Sequence, residues 1–206
     1  MPEFSLPVFL AQIAETSSLE WIAVSAGLLQ VLLAWKQSIW NYAAGIISTV
    51  ITIWIFIHAG LYAESALNLY YFGISIWGII LWSRPTKTPA KPSFATGKEW
   101  AVAALITGIG TLAICAVLSH FTPSDVPLWD ALVSALAWAG TWMLTRRKVE
   151  NWIVLNLSNA VAIPLLYHKG LPLYAVFTLL LFILALGGFG RWYQAARRQA
   201  TLQEAI

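Results

Sequence analysis

The sequence predicts an all-α integral membrane protein in which seven transmembrane helices form two parallel three-helix repeats joined by a linking helix. The first observation is composition, since 59% of the 206 residues are hydrophobic and only 10% are charged. The second is that the apolar residues form stretches long enough to cross a bilayer, and the third is an internal repeat. A soluble domain carries about a quarter charged residues, so disorder, a water-soluble enzyme and nucleic-acid binding are all disfavoured.

A transmembrane helix needs about 20 mostly apolar residues. Each such stretch is predicted to be helical, because an open strand would leave backbone groups unpaired in lipid. The seven predicted spans are 19–35, 40–58, 66–82, 99–119, 127–145, 152–168 and 171–190.

The spans divide the chain into six segments. Residues 84–98 contain three prolines and four basic residues and are the clearest linker. The predicted division is an N-terminal extracytoplasmic or interfacial segment (1–18), a first three-helix bundle (19–83), a cytoplasmic linker (84–98), a linking transmembrane helix (99–120), a second bundle (127–192) and a cytoplasmic tail (193–206).

The placement of basic residues predicts the orientation. With the N-terminus outside and the C-terminus in the cytoplasm, 11 of the 12 basic residues face the cytoplasm, and Lys169 is the exception. Cytoplasmic loops are enriched in lysine and arginine, so this orientation follows. The 11 residues are Lys36, Arg84, Lys87, Lys91, Lys98, Arg146, Arg147, Lys148, Arg191, Arg197 and Arg198.

An offset of 110 residues aligns 20–82 with 130–192 at ten identical positions. Shared H-x-G-L segments begin at His58 and His168, and the span ends agree. A single helix between the two halves gives both the same orientation in the membrane. Parallel repeats of this kind occur in transporters whose site lies between the halves, although channels and receptors are also duplicated.

Polar side chains inside the spans supply the candidate substrate site. In lipid such groups either join helices or line a pathway. Serines and threonines more often bond their own backbone or a neighbouring helix, and single aromatic residues more often pack in the core or against lipid. Two amides one turn apart favour a pathway. The candidates are Gln30, Ser48, Asn68, Tyr71, Ser75, Trp138, Trp152, Asn156 and Asn159.

The acidic residues all fall at span ends or in loops. Proton relays and many cation-coupled carriers place a carboxylate at mid-membrane, so the pattern favours an uncoupled facilitator. The three histidines are interpreted as interfacial, with metal ligation a minor alternative. We expect no metal, no cofactor and no enzymatic activity.

Several motifs resemble the PnuC family of vitamin transporters, over about residues 20 to 192. The T-R-R-K-V-E-N-W stretch is the most specific of them. The motifs are N-Y-x-x-G at 41–45, I-W-G-I-I-L-W at 76–82, L-W-D at 128–130, T-R-R-K-V-E-N-W at 145–152 and H-K-G-L at 168–171.

The resemblance implies a fold like that of sugar-efflux (SWEET) transporters, often as a homotrimer, in the bacterial inner membrane. It also implies facilitated diffusion of an unphosphorylated vitamin, most often nicotinamide riboside, which a cytoplasmic kinase then traps. Thiamine is the alternative cargo, and a vitamin-binding receptor that does not transport is the alternative function. Aromatic rings that stack on a cationic pyridinium or thiazolium would suit either cargo.

The chain departs from the riboside carriers of this family at several positions. Leu155 stands where they usually have a second tryptophan, Ser48 where they often have asparagine, and Asn68 where they often have glutamine. Asn159 matches a family asparagine, whereas Asn156 is polar where the family is commonly apolar. These departures predict a rearranged pocket.

Overall fold

The computed structural model describes residues 6–58, 62–85, 91–122 and 124–204, and these form eight α-helices. One isolated bridge between Ser93 and Lys148 supplements them. The helices are α1 (Leu6–Glu15), α2 (Ser18–Trp35), α3 (Trp40–His58), α4 (Tyr62–Trp82), α5 (Gly97–Phe121), α6 (Pro127–Thr145), α7 (Asn151–His168) and α8 (Pro172–Glu204).

Capping boxes fix the starts of α2 and α5. The Ser17 hydroxyl accepts from the Glu20 amide, and the Glu20 carboxylate accepts from the Ser17 amide at 2.7 Å. Thr96 and Glu99 make the same exchange before α5. Each box satisfies amides that the first turn of a helix leaves unpaired.

The last helix is longer than the predicted span 171–190. α8 has 33 residues, about 50 Å at 1.5 Å per residue, and includes 193–204, which we expected to form a separate tail. Good helix formers follow Arg191, and no proline interrupts them. Ala196 is buried in one cluster with Trp192 and Ala34, so this extension belongs to the folded core.

Five helical segments are long and apolar enough to cross a membrane: α2, α3, residues 65–82 of α4, α5 and residues 174–201 of α8. α6 and α7, which we also predicted to span, are less apolar. They contain many of the buried residues of the described chain, among them Asn151, Asn156 and Ser158 on α7. Their polar groups face protein, and this is where membrane proteins tolerate such groups.

Helices adjacent in the chain pack together, giving one group of α2, α3 and α4 and another of α6, α7 and α8. α5 lies mainly along α6. The two groups meet where α4 packs against α6 and where α8 packs against α2. In each contact, the third helix of one group meets the first helix of the other.

The 110-residue offset relates hydrogen bonds as well as residue types. The Ser48 hydroxyl donates to the Ala23 carbonyl at 2.8 Å, and the equivalent Ser158 hydroxyl donates to Val133 at 2.7 Å. Asn41 and Asn151 each donate to a carbonyl three residues earlier in the chain. The structural interpretation of the two serines, bonding to a neighbouring helix, is confirmed.

Backbone strain recurs at the same offset. Gln37 has φ = 54° and Arg147 has φ = 56°, the two non-glycine residues with positive φ in the described ranges. Each follows the first helix of its group, where the chain turns into the next helix. The same local solution therefore appears in both halves.

The end of the linker docks on the loop between α6 and α7. The Ser93 amide donates to Arg147 O, the Val149 amide donates to Ser93 O at 3.0 Å, and Glu150 accepts from the Ala95 amide at 2.9 Å. Lys148 pairs with Glu99 at 3.1 Å. Glu150, part of the most specific motif, thus anchors the linker. Residues 86–90, including Lys87, lie outside the described residues.

Candidate binding site

A long cavity of about 310 Å³ lies between α2, α3, α6, α7 and α8. Its wall follows α2 from Glu20 to Ala34, about 20 Å at 1.5 Å per residue. Aliphatic and aromatic side chains form most of this wall, including Val24, Phe56 and Phe177. The helices that line it come from both groups, so the cavity lies where the two halves meet.

A second cavity of about 240 Å³ lies beside the first and is more polar. Tyr42, Asn68, Tyr71 and Ser75 contribute to its wall. The two cavities share five lining residues, and we call the pair the central cavity. The shared residues are Gln30, Ser48, Thr52, Thr141 and Leu144.

Two glycines leave space for the side chains of the wall residues Gln30 and Leu155. A Cβ on Gly45 would lie 2.9 Å from the Gln30 amide, and a Cβ on Gly140 would lie 2.7 Å from the Leu155 side chain. The 110-residue offset relates Gln30 to Gly140 and Gly45 to Leu155. The large and small partners are therefore exchanged between the halves, which places an amide on one side of the cavity and an aliphatic group on the other.

Two residues of the cavity wall carry a buried polar atom for which the structure describes no partner. Trp152 Nε1 and Tyr42 Oη are buried and have no hydrogen-bond partner among the described residues. Trp152 lines the long cavity and Tyr42 the second one, at positions that the offset relates. Since buried polar groups are nearly always paired, each of these two atoms lacks the partner that such a group normally has.

Trp82 and Trp192 pack against these two residues and form, with them, what we call the tryptophan-rich layer. Trp82 meets Tyr42 edge to face at 5.1 Å and 86°, and Trp192 meets Trp152 at 5.7 Å and 88°. The Arg147 guanidinium stacks 3.7 Å from the centre of the Trp82 ring. Burial lowers the pKa of Arg147 from its ordinary value. The layer holds Tyr42 and Trp152 in equivalent orientations.

Six of the nine candidates from the sequence line the central cavity. The hydroxyls of two of them are already donors, because Ser48 donates to Ala23 O and Ser75 donates to Tyr71 O at 2.7 Å. These two can therefore offer a ligand only acceptor lone pairs. The six are Gln30, Ser48, Asn68, Tyr71, Ser75 and Trp152.

The other three candidates lie elsewhere. Asn159 lines a separate cavity of about 800 Å³ beside α6, α7 and α8, which we call the lateral cavity. Asn159 donates weakly, at 3.5 Å, to the buried amide oxygen of Asn156. Trp138 stacks on Tyr70 between α4 and α6, with 4.5 Å between the ring centres. The Tyr70 hydroxyl donates a hydrogen bond to the Trp138 carbonyl. Asn156 and Trp138 line none of the three cavities.

Sequence reasoning missed Tyr42, Thr141 and Glu20 as wall residues. The offset that aligns Tyr42 with Trp152 was a usable signal for the first. Thr141 gave no signal, because a single threonine in an apolar helix usually bonds its own backbone, and it does so here at 2.9 Å. Glu20 was interpreted only as a residue of a span end.

Among the described residues that line the central cavity, Glu20 is the one with a charged side chain. It lies at the first turn of α2, where the carboxylate also closes the capping box. The equivalent residue of the second half, Asp130, lies on the lateral cavity and is paired with Lys169.

Comparison with known proteins gives a consistent result. The nicotinamide mononucleotide transporter family model matches residues 17–194. The nicotinamide riboside transporters PnuC of Escherichia coli (strain K12) and Shigella flexneri are each 25% identical over 214 aligned residues, covering 91% of this chain and 90% of theirs.

The crystal structure of the vitamin B3 transporter PnuC has a similar fold. Its TM-score is 0.71 at 22% sequence identity, with 93% of this chain and 88% of that chain covered. The family match extends from the capping box of α2 to the Trp192 layer and thus includes the whole central cavity. The chain belongs to the nicotinamide mononucleotide transporter family of multi-pass membrane proteins.

Proposed function

We propose that this protein carries nicotinamide riboside across the membrane by facilitated diffusion through the central cavity. The observation that carries the proposal is a cavity between two repeated helix groups, with a mostly apolar wall that includes Tyr42 and Trp152, two residues whose buried polar atoms have no partner among the described residues. Small-molecule pockets have about 300–1,000 Å³ and combine apolar walls with a few polar groups. Family membership and the names of the relatives support the same cargo.

The proposed architecture is seven transmembrane helices, α2–α8, as three plus one plus three. The recurrence of hydrogen bonds, glycine contacts and strained residues at the 110-residue offset supports it. The proposed setting is a bacterial inner membrane, with the N-terminus outside and the C-terminus in the cytoplasm. The basic loops after α2, α4 and α6 support this orientation. The homotrimer stays a prediction from the family resemblance.

The riboside offers hydroxyls, a carboxamide and a cationic pyridinium ring. In the proposal, Trp152, Tyr42, Gln30 and Asn68 make hydrogen bonds to its polar groups. Tyr71 and Trp152 present aromatic surface to the cation, an interaction of about 2 kcal/mol when desolvated. Asn159 acts from the lateral cavity, and Asn156 orients it by accepting a hydrogen bond from its amide. Trp138 supports the α4–α6 contact on which Asn68 and Tyr71 depend.

No ion gradient drives uptake in this scheme, because a cytoplasmic kinase removes the transported riboside by ATP-dependent phosphorylation. The wall of the central cavity supports the absence of ion coupling. At the level of Gln30 to Ala34 of α2, the wall consists of the Gln30 amide, hydroxyls from α3 and α6, and apolar side chains. The carboxylate of the wall, that of Glu20, lies at the start of α2.

Liposome uptake tests the proposal. Purified protein is reconstituted with a riboside kinase and ATP inside, and labelled nicotinamide riboside is supplied outside. We expect accumulation with the kinase and only equilibration without it, both unchanged by proton and sodium ionophores. Collapse of uptake with either ionophore would refute facilitated diffusion. Saturable binding without accumulation would identify a receptor that does not transport.

Leu155 specifically favours a second cargo, thiamine. It lies in the wall of the long cavity where riboside carriers of the family usually have tryptophan. Tryptophan-fluorescence titration with nicotinamide riboside and thiamine side by side separates the two. Quenching by the riboside alone supports the proposal, whereas quenching by thiamine alone would replace its cargo.

A further inference from the structure

The equivalent carboxylates of the two halves differ in their charge balance. The 110-residue offset relates Glu20 to Asp130. Asp130 is paired with Lys169 and accepts from the Ser124 hydroxyl at 2.6 Å. The counterpart of Lys169 in the first half is Ala59, which carries no charge. Among the described residues Glu20 has no cation within ion-pair distance.

The surroundings of Glu20 hold its carboxylate in a fixed position. One oxygen accepts from both the amide and the hydroxyl of Ser17 at 2.7 Å, and the Tyr174 side chain lines the same part of the wall. These donors are neutral, so they orient the carboxylate without pairing its charge, which only the partial positive charge at the N-terminus of α2 opposes. A fixed charge beside low-dielectric walls acts on a ligand more strongly than a mobile surface charge does.

The position of Glu20 relates this charge to the path of a solute. Glu20, Ala23 and Tyr174 line the end of the long cavity that lies farthest from the tryptophan-rich layer. In the proposed orientation, this end faces the outside of the cell. A solute that moves from there toward Trp152 passes the carboxylate first.

We propose that Glu20 is a specificity-determining residue that draws cationic solutes into the central cavity and disfavours anionic ones. The inference rests on the proposed function and adds a charge requirement to it. The oxidised pyridinium of nicotinamide riboside carries a positive charge, its dihydro form is neutral, and its 5′-phosphate ester is anionic. Glu20 favours binding of the three in that order, so the phosphate ester supplied from outside binds most weakly at the outer mouth.

Glu20→Gln tests the charge alone. Glutamine also closes a capping box, so the variant keeps the start of α2 and removes the negative charge. We expect the Kd for nicotinamide riboside, from tryptophan fluorescence at low salt, to rise about fivefold. The Kd for the dihydro form should stay unchanged. Raising the salt from 0.01 to 0.3 M should weaken riboside binding to the wild type and have little effect on the variant, because salt screens exposed charges.

Two matched controls separate charge from capping. Ser17→Ala removes the capping hydroxyl and keeps the carboxylate, so stability should fall while the ratio of the two Kd values stays as in the wild type. Glu15→Gln removes an exposed carboxylate that lines neither part of the central cavity, and it should leave the ratio unchanged. An equal loss of ratio in Glu15→Gln would assign the effect to general surface charge and overturn the inference.

The outcomes also distinguish this inference from the proposed function. If the wild type binds the riboside and Glu20→Gln keeps both its ratio and its salt dependence, the role of Glu20 is refuted and the proposed function stands. If the wild type binds neither form of the riboside, the proposed function fails first. The same titration with thiamine, also a cation, then tests whether Glu20 selects by charge for another cargo.

Discussion

The Trp192 indole donates a hydrogen bond to the Ala34 carbonyl at 3.0 Å, across 158 residues of chain. Trp82 makes the corresponding bond in the opposite direction, from the first helix group to Thr145 O in the second, at 2.9 Å. Each bond joins the third helix of one group to the end of the first helix of the other. The two halves are thus fastened to each other twice, at the same end of the bundle, directly beneath Tyr42 and Trp152.

Trp192→Phe removes one of these bonds and leaves the site apolar. Trp192 is fully buried, so the loss combines a hydrogen bond with a packing defect, and we expect about 2 kcal/mol lower stability. Thermal unfolding in detergent, followed by circular dichroism, measures it. Trp100→Phe is the control, because Trp100 is 42% exposed on α5. A loss of stability in the control that matches that of Trp192→Phe would contradict a specific role of the bond.

Gln37 and Arg147 allow backbone strain to be separated from side-chain contact. Both have positive φ, which costs an L-residue about 1–2 kcal/mol and costs glycine almost nothing. Gln37→Gly should therefore raise the unfolding temperature. Arg147→Gly also relieves strain but loses the stacking on Trp82, so its net change should be smaller or negative. Equal increases in both variants would show that the Arg147–Trp82 contact contributes nothing to stability.

Much of the fold followed from the sequence because lipid imposes strong rules. Length and apolarity located the helices of the bundle, since every span must satisfy its own backbone. The continuation of α8 to Glu204 was missed, because polar residues after Arg191 resemble a tail and their helical propensity is a weak signal. The burial of Trp192 and Ala196, which stabilises the continuation, depends on tertiary packing.

The candidate site was predictable only in part. Polar residues on a helical stripe, such as Ser48, Asn68 and Ser75, pointed to the central cavity because period and polarity are visible in sequence. Periodicity does not reveal which side of a helix faces which cavity, so Asn159 was grouped with residues from which the structure separates it. The roles of Gly45 and Gly140 depend on side chains from other helices and leave no local pattern.

Gly188→Ala should disturb the site without adding polarity. A Cβ at this position would approach the Trp152 ring to 2.7 Å, so the indole must move. We expect at least a tenfold weaker affinity for nicotinamide riboside and a loss of about 1–3 kcal/mol in stability from overpacking. Fluorescence titration and thermal unfolding measure the two effects. Gly108→Ala is the matched control, since open space surrounds its position in α5. An unchanged affinity in Gly188→Ala would exclude Trp152 from the binding surface.

Tyr42→Phe and Asn159→Leu compare the central and lateral cavities directly. Tyr42→Phe deletes the orphan hydroxyl and keeps the ring against Trp82, so riboside affinity should fall about 5- to 20-fold, the equivalent of about 1–2 kcal/mol for one hydrogen bond. Stability should stay the same or rise, because the hydroxyl has no partner to lose.

Asn159→Leu should abolish uptake while the protein still folds. Wild-type transport by Asn159→Leu together with weak binding by Tyr42→Phe would confine the site to the central cavity, whereas the reverse pair of results would move it to the lateral cavity.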